Sequence, residues 1–496
     1  MRKHIEAFLL SPAYPLLLSV SPILTLYANN IYQVSFSVLL RPVLFSLLIG
    51  VLLFLAMQFF FQEWHKSAFF ATIVIFFLGT YGHIKNFLDA KKIQGAPIYI
   101  LGGGLLTIFF FIFLNKKYRN KLNYASLAPG INLMAIIFLL FPLLKTIQYN
   151  VARNIAFAPQ ANTFEQLDIS NLETLPDIYY IIPDSYGSSD TLKEIYSYDN
   201  NQFITELEKL DFFVAKCSQS NYPTTVLSLA SSLNMDYISN LSEHFKPDER
   251  DILYLFAAMR KNAVMDILST AGYKRVAFAT GFPWGEMKNA DVFLSPPSGA
   301  VNEFEIMYLQ TTAGQLLDDL ELQDLDNLNA ERYRERTRLV FDSLPEIATI
   351  SEPKFVFIHL MLPHPPFGFD EKGNNINPAQ VNTPEGYSNQ AAYFGKEIIK
   401  NIEIILKQSK TPPIIIIQGD HGPWTARPDW RLSILNAYYF PEHTDVLYPK
   451  ITPVNTFRLV LNEYLGANYD LLPDNSYNVK VPYIYDFTLV ENTCKE

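Results

Sequence analysis

Asp420 and His421 follow four consecutive isoleucines in the stretch PIIIIQGDHGPW, Pro413 to Trp424. A carboxylate beside a neutral imidazole is a donor pair for a borderline divalent cation, Zn²⁺ or Mn²⁺ rather than Ca²⁺. Gly422 lets the backbone turn away without a side chain in the site. Two further candidates stand just past apolar runs: Asp184 in PDSYG, and His364 in MLPHPPFGFD. A nucleophile is offered by SNYPTTVLSLASSLNMDY, Ser220 to Tyr237, where Thr224 and Thr225 follow a proline and open a helical run. Free N–H groups at a helix start suit phosphate or sulfate. A hydroxyl held there on a divalent cation loses its proton near neutral pH and can attack phosphorus. Arg427 and Arg431, just after DHGPW, could supply a cation for a substrate phosphate.

Each residue also has an ordinary reading: a turn after a strand, an N-cap, a solvated loop. The case rests on their order along the chain. His359, inside an apolar run, reads as a core histidine, and His443 in a polar loop is given no role.

The elements that must position these residues are those of an α/β domain. Four β-rich runs, Asp177–Ile182, Arg275–Thr280, Lys354–Leu360 and Pro413–Gln418, alternate with helical segments, as in a mainly parallel sheet covered on both faces. Such sheets bind ligands beyond the carboxyl ends of their strands. Asp184, His364, Asp420 and His421 all stand at such ends.

The preceding part of the chain is different. Residues 1–150 carry 12 Lys/Arg against 3 Asp/Glu, and the remainder 27 against 46, within an overall charge of −10. Five apolar stretches, near Pro12–Tyr27, Val38–Phe61, Ser67–Ile84, Ala96–Leu114 and Leu127–Ile147, each suit the ~30 Å hydrocarbon layer. The first reads as a retained anchor, since no small-x-small cleavage site follows it. The basic cluster NKKYRNK, Asn115–Lys121, should stay cytoplasmic, which sends everything after about Val151 to the outer side. Lys85, Lys91 and Lys92 fall in an outer loop and oppose that topology. The division expected is a transmembrane domain over 1–150, a linker over 151–175 and an α/β domain over 176–496. The acidic outer part excludes nucleic acid as a partner. Cys217 and Cys494 form no metal-ligand spacing and read as unrelated thiols, with pairing outside the cytoplasm as the alternative.

The ordered set of motifs resembles the alkaline phosphatase and sulfatase superfamily. Its membrane-anchored bacterial branch, with lipoteichoic acid synthases and lipid A phosphoethanolamine transferases, has about five spans before an extracytoplasmic catalytic domain. By that resemblance Asp184, Asp420 and His421 are metal ligands. Thr225 is the nucleophile and a further ligand, because Ser228 then completes a TxxS pattern; Thr224 is the alternative. His364 in PHPPF corresponds to a histidine that contacts the substrate phosphate or a second metal. Two departures matter. CSQSNYPTT lacks the CxPSR-like motif of active sulfatases, which argues against sulfatase activity. No second histidine follows DHG at a clear spacing, so one firmly bound metal is expected rather than two.

The expectation is a membrane-anchored, Zn- or Mn-dependent enzyme acting on phosphate esters. It would move a phosphoglycerol or phosphoethanolamine headgroup from a lipid donor, through a phospho-threonine, to an envelope glycan or lipid. A phosphodiesterase or phosphatase with water as acceptor, and a non-catalytic envelope-assembly module, are the alternatives.

Overall fold

A computed structural model describes residues 2–494 apart from 32–33, 35, 119–122, 157–173, 243–244, 249–251, 283–284, 298–300, 378–382, 425–426 and 481–482. Most of the expected linker (157–173) and part of the basic cluster (119–121) therefore lie outside the described residues. The chain divides into two compact units, one of residues 1–156 with 299–329, the other of residues 157–298 with 330–496.

The first unit contains α1 (Arg2–Leu9), α2 (Tyr14–Asn29), α3 (Leu40–Phe61), α4 (Trp64–Ala90), α5 (Ala96–Lys117) and α6 (Tyr124–Ala156). The last four are each long and apolar enough to cross a membrane. The expected first stretch, Pro12–Tyr27, falls in α2, which joins the preceding helix at a bend of 83°, so the described residues hold four candidate spans, or five if that bent pair counts as one. Pro22 in α2 and Pro142 in α6 sit inside helices that continue through them, as membrane helices tolerate. Residues 299–329 belong to this unit although the second unit's chain surrounds them in sequence. Phe304 of the helix Glu303–Thr311 lies in one buried cluster with Ile23, Tyr27, Ile31 and Leu39.

The second unit is built on a seven-stranded sheet in the order β2-β7-β6-β1-β5-β3-β4. Its strands are β1 (Ile178–Pro183), β2 (Phe213–Val214), β3 (Lys274–Phe278), β4 (Val292–Leu294), β5 (Lys354–Leu360), β6 (Ile414–Gln418) and β7 (Asn436–Tyr439). The five from β6 to β4 are parallel, and β7 runs antiparallel to both β6 and β2. The fold is thus a mainly parallel α/β domain following an apolar helical bundle.

The strands in the middle of the sheet are mostly apolar and fully buried because both faces are covered. Tyr179, Ile181, Ile358 and Ile417 share one core cluster with Phe341 and Leu344 of the helix Leu325–Ala348 and Phe394, Ile398 and Ile402 of the helix Pro384–Gln408. On the opposite face Tyr180 meets Phe457 at 5.0 Å and donates to Ser232 Oγ of the helix Thr225–Asn234 at 3.4 Å. Every residue from Ile414 to Ile417 is fully buried. A separate hairpin, β8 (Ser476–Lys480) with β9 (Tyr483–Val490), stacks Tyr477 and Phe487 on Tyr222 just before that helix.

The cysteine reading requires correction. Cys217 and Cys494 form a disulfide, with Cα atoms 5.5 Å apart. Spacing of 277 residues gave no hint of it; the tail after β9 returns to the loop after β2, where Asn492 Nδ2 donates to Cys217 O at 2.8 Å.

Candidate functional site

β1, β5 and β6 are neighbours in the sheet, so their carboxyl ends open at one place. The register pairs Ile182 with His359 and Pro183 with Leu360, and Asp184 N donates to Leu360 O at 2.8 Å. Asp184 thus stands one step beyond β1, beside the penultimate residue of β5. Its Oδ2 is 3.1 Å from His359 Nε2. Asp420 arrives two residues after β6. Asp184, His359 and Asp420 are buried and can each offer one ligand atom within 4.8 Å of the others.

Here the structure revises the sequence reading of His359. It faces the same side of β5 as Phe357, yet it ends against a carboxylate. An imidazole one residue short of the end of a fully buried strand that is apolar from Phe355 to Ile358 was the available signal. Burial, the largest single influence, lowers its pKa, but the bond to Asp184 and the charges of Asp184 and Asp420 together outweigh it and raise the pKa. Burial likewise pushes the Asp184 carboxyl up, while His364, His359 and His421 together hold it well below the usual carboxylate range.

Backbone groups orient the second carboxylate. Asp420 Oδ1 accepts from Ser185 N and His421 N, both at 2.9 Å. Ser185 makes the first bond from a left-handed conformation, φ 62°, which costs a non-glycine residue of order 1–3 kcal/mol and marks a constrained site. The Tyr387 hydroxyl holds that turn by donating to Ser185 O at 2.8 Å. Two carboxylate oxygens, Asp184 Oδ1 and Asp420 Oδ2, remain buried without a hydrogen-bond partner among the described residues. Buried polar atoms are rarely left so, and an unfilled pair calls for an ion.

His421 stands beside the same two carboxylates. Its Nδ1 donates to Gly422 O at 2.7 Å, which turns the Nε2 lone pair toward the carboxylates and the Thr225 hydroxyl. Nε2 lies 3.5 Å from Asp420 Oδ2 and 4.0 Å from Asp184 Oδ1. Gly422 is required by close approach: a Cβ there would collide with the carbonyl oxygens of Trp430 and Ser433.

Thr225, the first residue of its helix, brings Oγ1 to 3.3 Å from His421 Nε2. Thr224 is the N-cap, and its side chain makes no capping bond. Ser228 points instead to Ser220, whose Oγ donates to Asp420 O at 2.5 Å and lies 3.0 Å from Ser228 Oγ. That hydroxyl ties the threonine loop to the Asp-His loop, a link the sequence did not suggest.

His364 is half-buried between two cis peptide bonds, Leu362–Pro363 and Pro365–Pro366. It acts on Asp184 through its charge. The two arginines part company. Arg427 is exposed, paired with Asp429 and stacked over Trp430 at 3.7 Å. Arg431 turns inward: it lies 4.0 Å over the Trp424 ring, and its Nη1 is buried with no partner among the described residues. Burial pushes its pKa down to about 10, opposed by the charges of Asp420 and Asp184. Its carbonyl accepts from Gly422 N at 2.6 Å, so the arginine is tied to the Asp-His-Gly loop. His443 pairs with Glu463 at 3.1 Å.

An Asp/His set with two unfilled carboxylate oxygens fits a borderline divalent cation such as zinc or manganese. Asp184, His359, Asp420 and His421 are the residues that would hold it, with the Thr225 hydroxyl beside them.

No protein-family model matches the sequence, and no curated protein matches it either. Solved structures do. The chain is similar to the C-terminal periplasmic domain of EptC from Escherichia coli, in complex with zinc, at 14% identity over 64% of this chain and 93% of that one, TM-score 0.41. It is similar to the integral membrane lipooligosaccharide phosphoethanolamine transferase A from Neisseria meningitidis at 12% identity over 92% and 95% of the two chains, TM-score 0.41. A protein of the alkaline phosphatase superfamily from Vibrio parahaemolyticus matches at 11% identity over 64% and 75%, TM-score 0.37.

Proposed function

We propose that this chain is a membrane-anchored, metal-dependent phosphotransferase that takes a phospho-headgroup from a membrane lipid through a phospho-Thr225 intermediate. One observation carries the reading. Beside the His421 ring that meets the Thr225 hydroxyl, two buried carboxylate oxygens have no hydrogen-bond partner among the described residues, nor has one buried guanidinium nitrogen on Arg431, whose charge acts on the same carboxylates. A divalent metal and a phosphate group together complete all three.

A bound divalent cation supplies charge that lowers the pKa of a hydroxyl beside it and offsets negative charge developing on phosphate oxygens. Thr225 is positioned as the nucleophile, held by the helix start and by the lone pair on His421 Nε2. Its Oγ1 forms a bond to phosphorus as the bond from phosphorus to the lipid alcohol breaks, and the hydroxyl proton passes to solvent. Arg431 binds a non-bridging phosphate oxygen and orients the group. His364 gives a proton to the departing alkoxide. A hydroxyl of an envelope glycan or lipid then attacks the phospho-threonine and restores Thr225. The spans support a lipid donor because they confine enzyme and donor to one surface. An extracytoplasmic catalytic unit is supported by the Cys217–Cys494 disulfide, since such bonds persist in oxidising compartments.

The test is the intact mass of the full-length protein, purified from membranes, beside Thr225→Ala. An adduct on the threonine form alone, with the mass of a phospho-headgroup, is the expected result and names the group. Zinc or manganese retained by both forms without an adduct would point to a hydrolase that clears its intermediate with water. Neither metal nor adduct would favour a non-catalytic assembly module.

A further inference from the structure

The segment 316–322, LLDDLEL, carries its polarity inside out. A short helix on a water-facing surface turns its leucines in and its carboxylates out. Here Asp319 accepts a hydrogen bond from the Tyr81 hydroxyl at 2.6 Å and pairs with Lys85 at 3.3 Å, its side chain only 5% exposed. Asp318 accepts from Gln315 Nε2 at 2.9 Å and from Leu325 N at 3.4 Å. Meanwhile Leu317, Leu320 and Leu322 are 37%, 60% and 69% exposed. A single exposed leucine means nothing. Three within six residues, with Asp318 and Asp319 turned the other way and only Glu321 exposed between them, do.

The bundle fixes the level at which these leucines lie. α4 begins at Trp64 and has 27 residues, about 40 Å at ~1.5 Å per residue, against ~30 Å for the hydrocarbon layer. Counting about 20 residues from Trp64 puts the far boundary of that layer near Tyr81–Lys85, the residues that hold Asp319. The other contacts agree. Phe304 packs on Tyr27 near the end of α2 and on Leu39 just before α3, with Tyr149 of the last part of α6 alongside. Arg41, second in α3, pairs with Glu305. Gly82 lies so close to the backbone of Gln310 and Thr311 that no Cβ would fit. Residues 301–324 are thus seated on one end of the bundle, the end at which α6 finishes. The span surfaces beside this seat are themselves apolar and exposed, at Leu44, Phe45, Phe76 and Phe87.

We infer that residues 316–322 are an interfacial membrane anchor: Leu317, Leu320 and Leu322 enter the boundary between headgroups and acyl chains of the leaflet where α6 ends. The occupant is a lipid surface, because the leucines continue the lipid-facing belt of the spans at boundary depth. Turning Asp318 and Asp319 toward protein partners removes two of the three charges that would oppose entry, and the exposed Glu321 carboxylate would stay at the level of the headgroups. The chain of the second unit is then tied to the bilayer twice, once after α6 and once in its middle. The inference rests on the membrane reading of the helices and not on the proposed reaction.

The test uses full-length protein with Leu322→Cys, spin-labelled and reconstituted in vesicles of phosphatidylethanolamine and phosphatidylglycerol. The two native cysteines are paired, so the new thiol takes the label. Accessibility to oxygen and to a water-soluble nickel chelate is compared with a label at Lys372→Cys, an exposed position in the second unit. The 322 label should favour oxygen over nickel several-fold more than the 372 label does. Equal nickel accessibility at the two positions would overturn the proposal, and so would shielding from both reagents, which would mean a protein partner. Leu320→Cys gives the same reading if the 322 variant fails to fold.

Discussion

His359 Nε2 lies 3.1 Å from Asp184 Oδ2, across the β1–β5 strand pair, with both residues buried. The contact joins the end of one parallel strand to the first residue beyond the other, and it faces the side of the sheet that also receives Thr225 and the Asp-His loop. An ion pair in this position is costly unless it serves something. Two neighbouring carboxylate oxygens without a hydrogen-bond partner among the described residues fit the proposal that it serves a cation.

His359→Ala should therefore lose metal. We expect the purified full-length variant to retain zinc at least about 100-fold more weakly than the parent, since even the partners that orient a metal ligand contribute about 10- to 100-fold. Elemental analysis after dialysis checks it. Undiminished zinc would assign His359 a purely structural role beside Asp184.

The two arginines should behave differently. Arg431→Ala should lower kcat/KM for a phosphodiester by about 100- to 1,000-fold, the range for removing one group that stabilises developing charge, with metal content unchanged. Arg431→Lys should recover only part of it, because a point charge does not reproduce the guanidinium fork. Arg427→Ala should stay within about twofold, since that side chain is occupied by Asp429 and Trp430; an exposed ion pair contributes roughly 1 kcal/mol or less.

Cys217→Ser should cost about 2–5 kcal/mol of unfolding free energy, measured by urea denaturation under non-reducing conditions. The hairpin held by that bond stacks on Tyr222, and Asn221 bonds to Val454, Asn475 and Tyr477. Loss of the bond should therefore also loosen the entry to the Thr225 helix. A reducing agent should bring the parent to the level of the variant and leave the variant unchanged.

An ordinary ion pair supplies a pH test away from the site. Asp291 receives bonds from Arg275 at 2.9 and 3.0 Å. The Arg275 side chain, working against slight burial, pulls the Asp291 pKa down to about 2. A depressed carboxylate stabilises the fold above its unfolded pKa, about 3.9, and that contribution is lost as pH falls through the folded value. The pair is partly exposed, so solvent limits it to about 1 kcal/mol or less. Asp291→Asn should be less stable than the parent at neutral pH, and the gap should already narrow by about pH 3, where Asp291 is protonated in the unfolded chain and still ionised in the folded one. A constant gap down to that pH would contradict the assignment.

Much was legible before any fold was known, because it depends on short-range chemistry. Apolar runs long enough for the bilayer, strands apolar on both faces, and Asp184, Asp420 and Thr225 just past element boundaries are all local patterns. The order of those residues along the chain resembles a known superfamily for the same reason. What stayed hidden depends on which distant segments meet. His359 looks like any core histidine until the register of β1 against β5 sets it beside Asp184. Cys217 and Cys494 look unrelated until the tail after β9 comes back past β2. Arg427 and Arg431 are equivalent by spacing, and one short helix decides that only Arg431 turns inward. Residues 299–329 read as part of the α/β domain, and it took their packing on α2, α3 and α4 to seat them on the membrane bundle. Periodicity and composition determined which elements form and where reactive side chains leave them. Strand register, a returning tail and a returning loop, all long-range contacts, decided which of those side chains share a site.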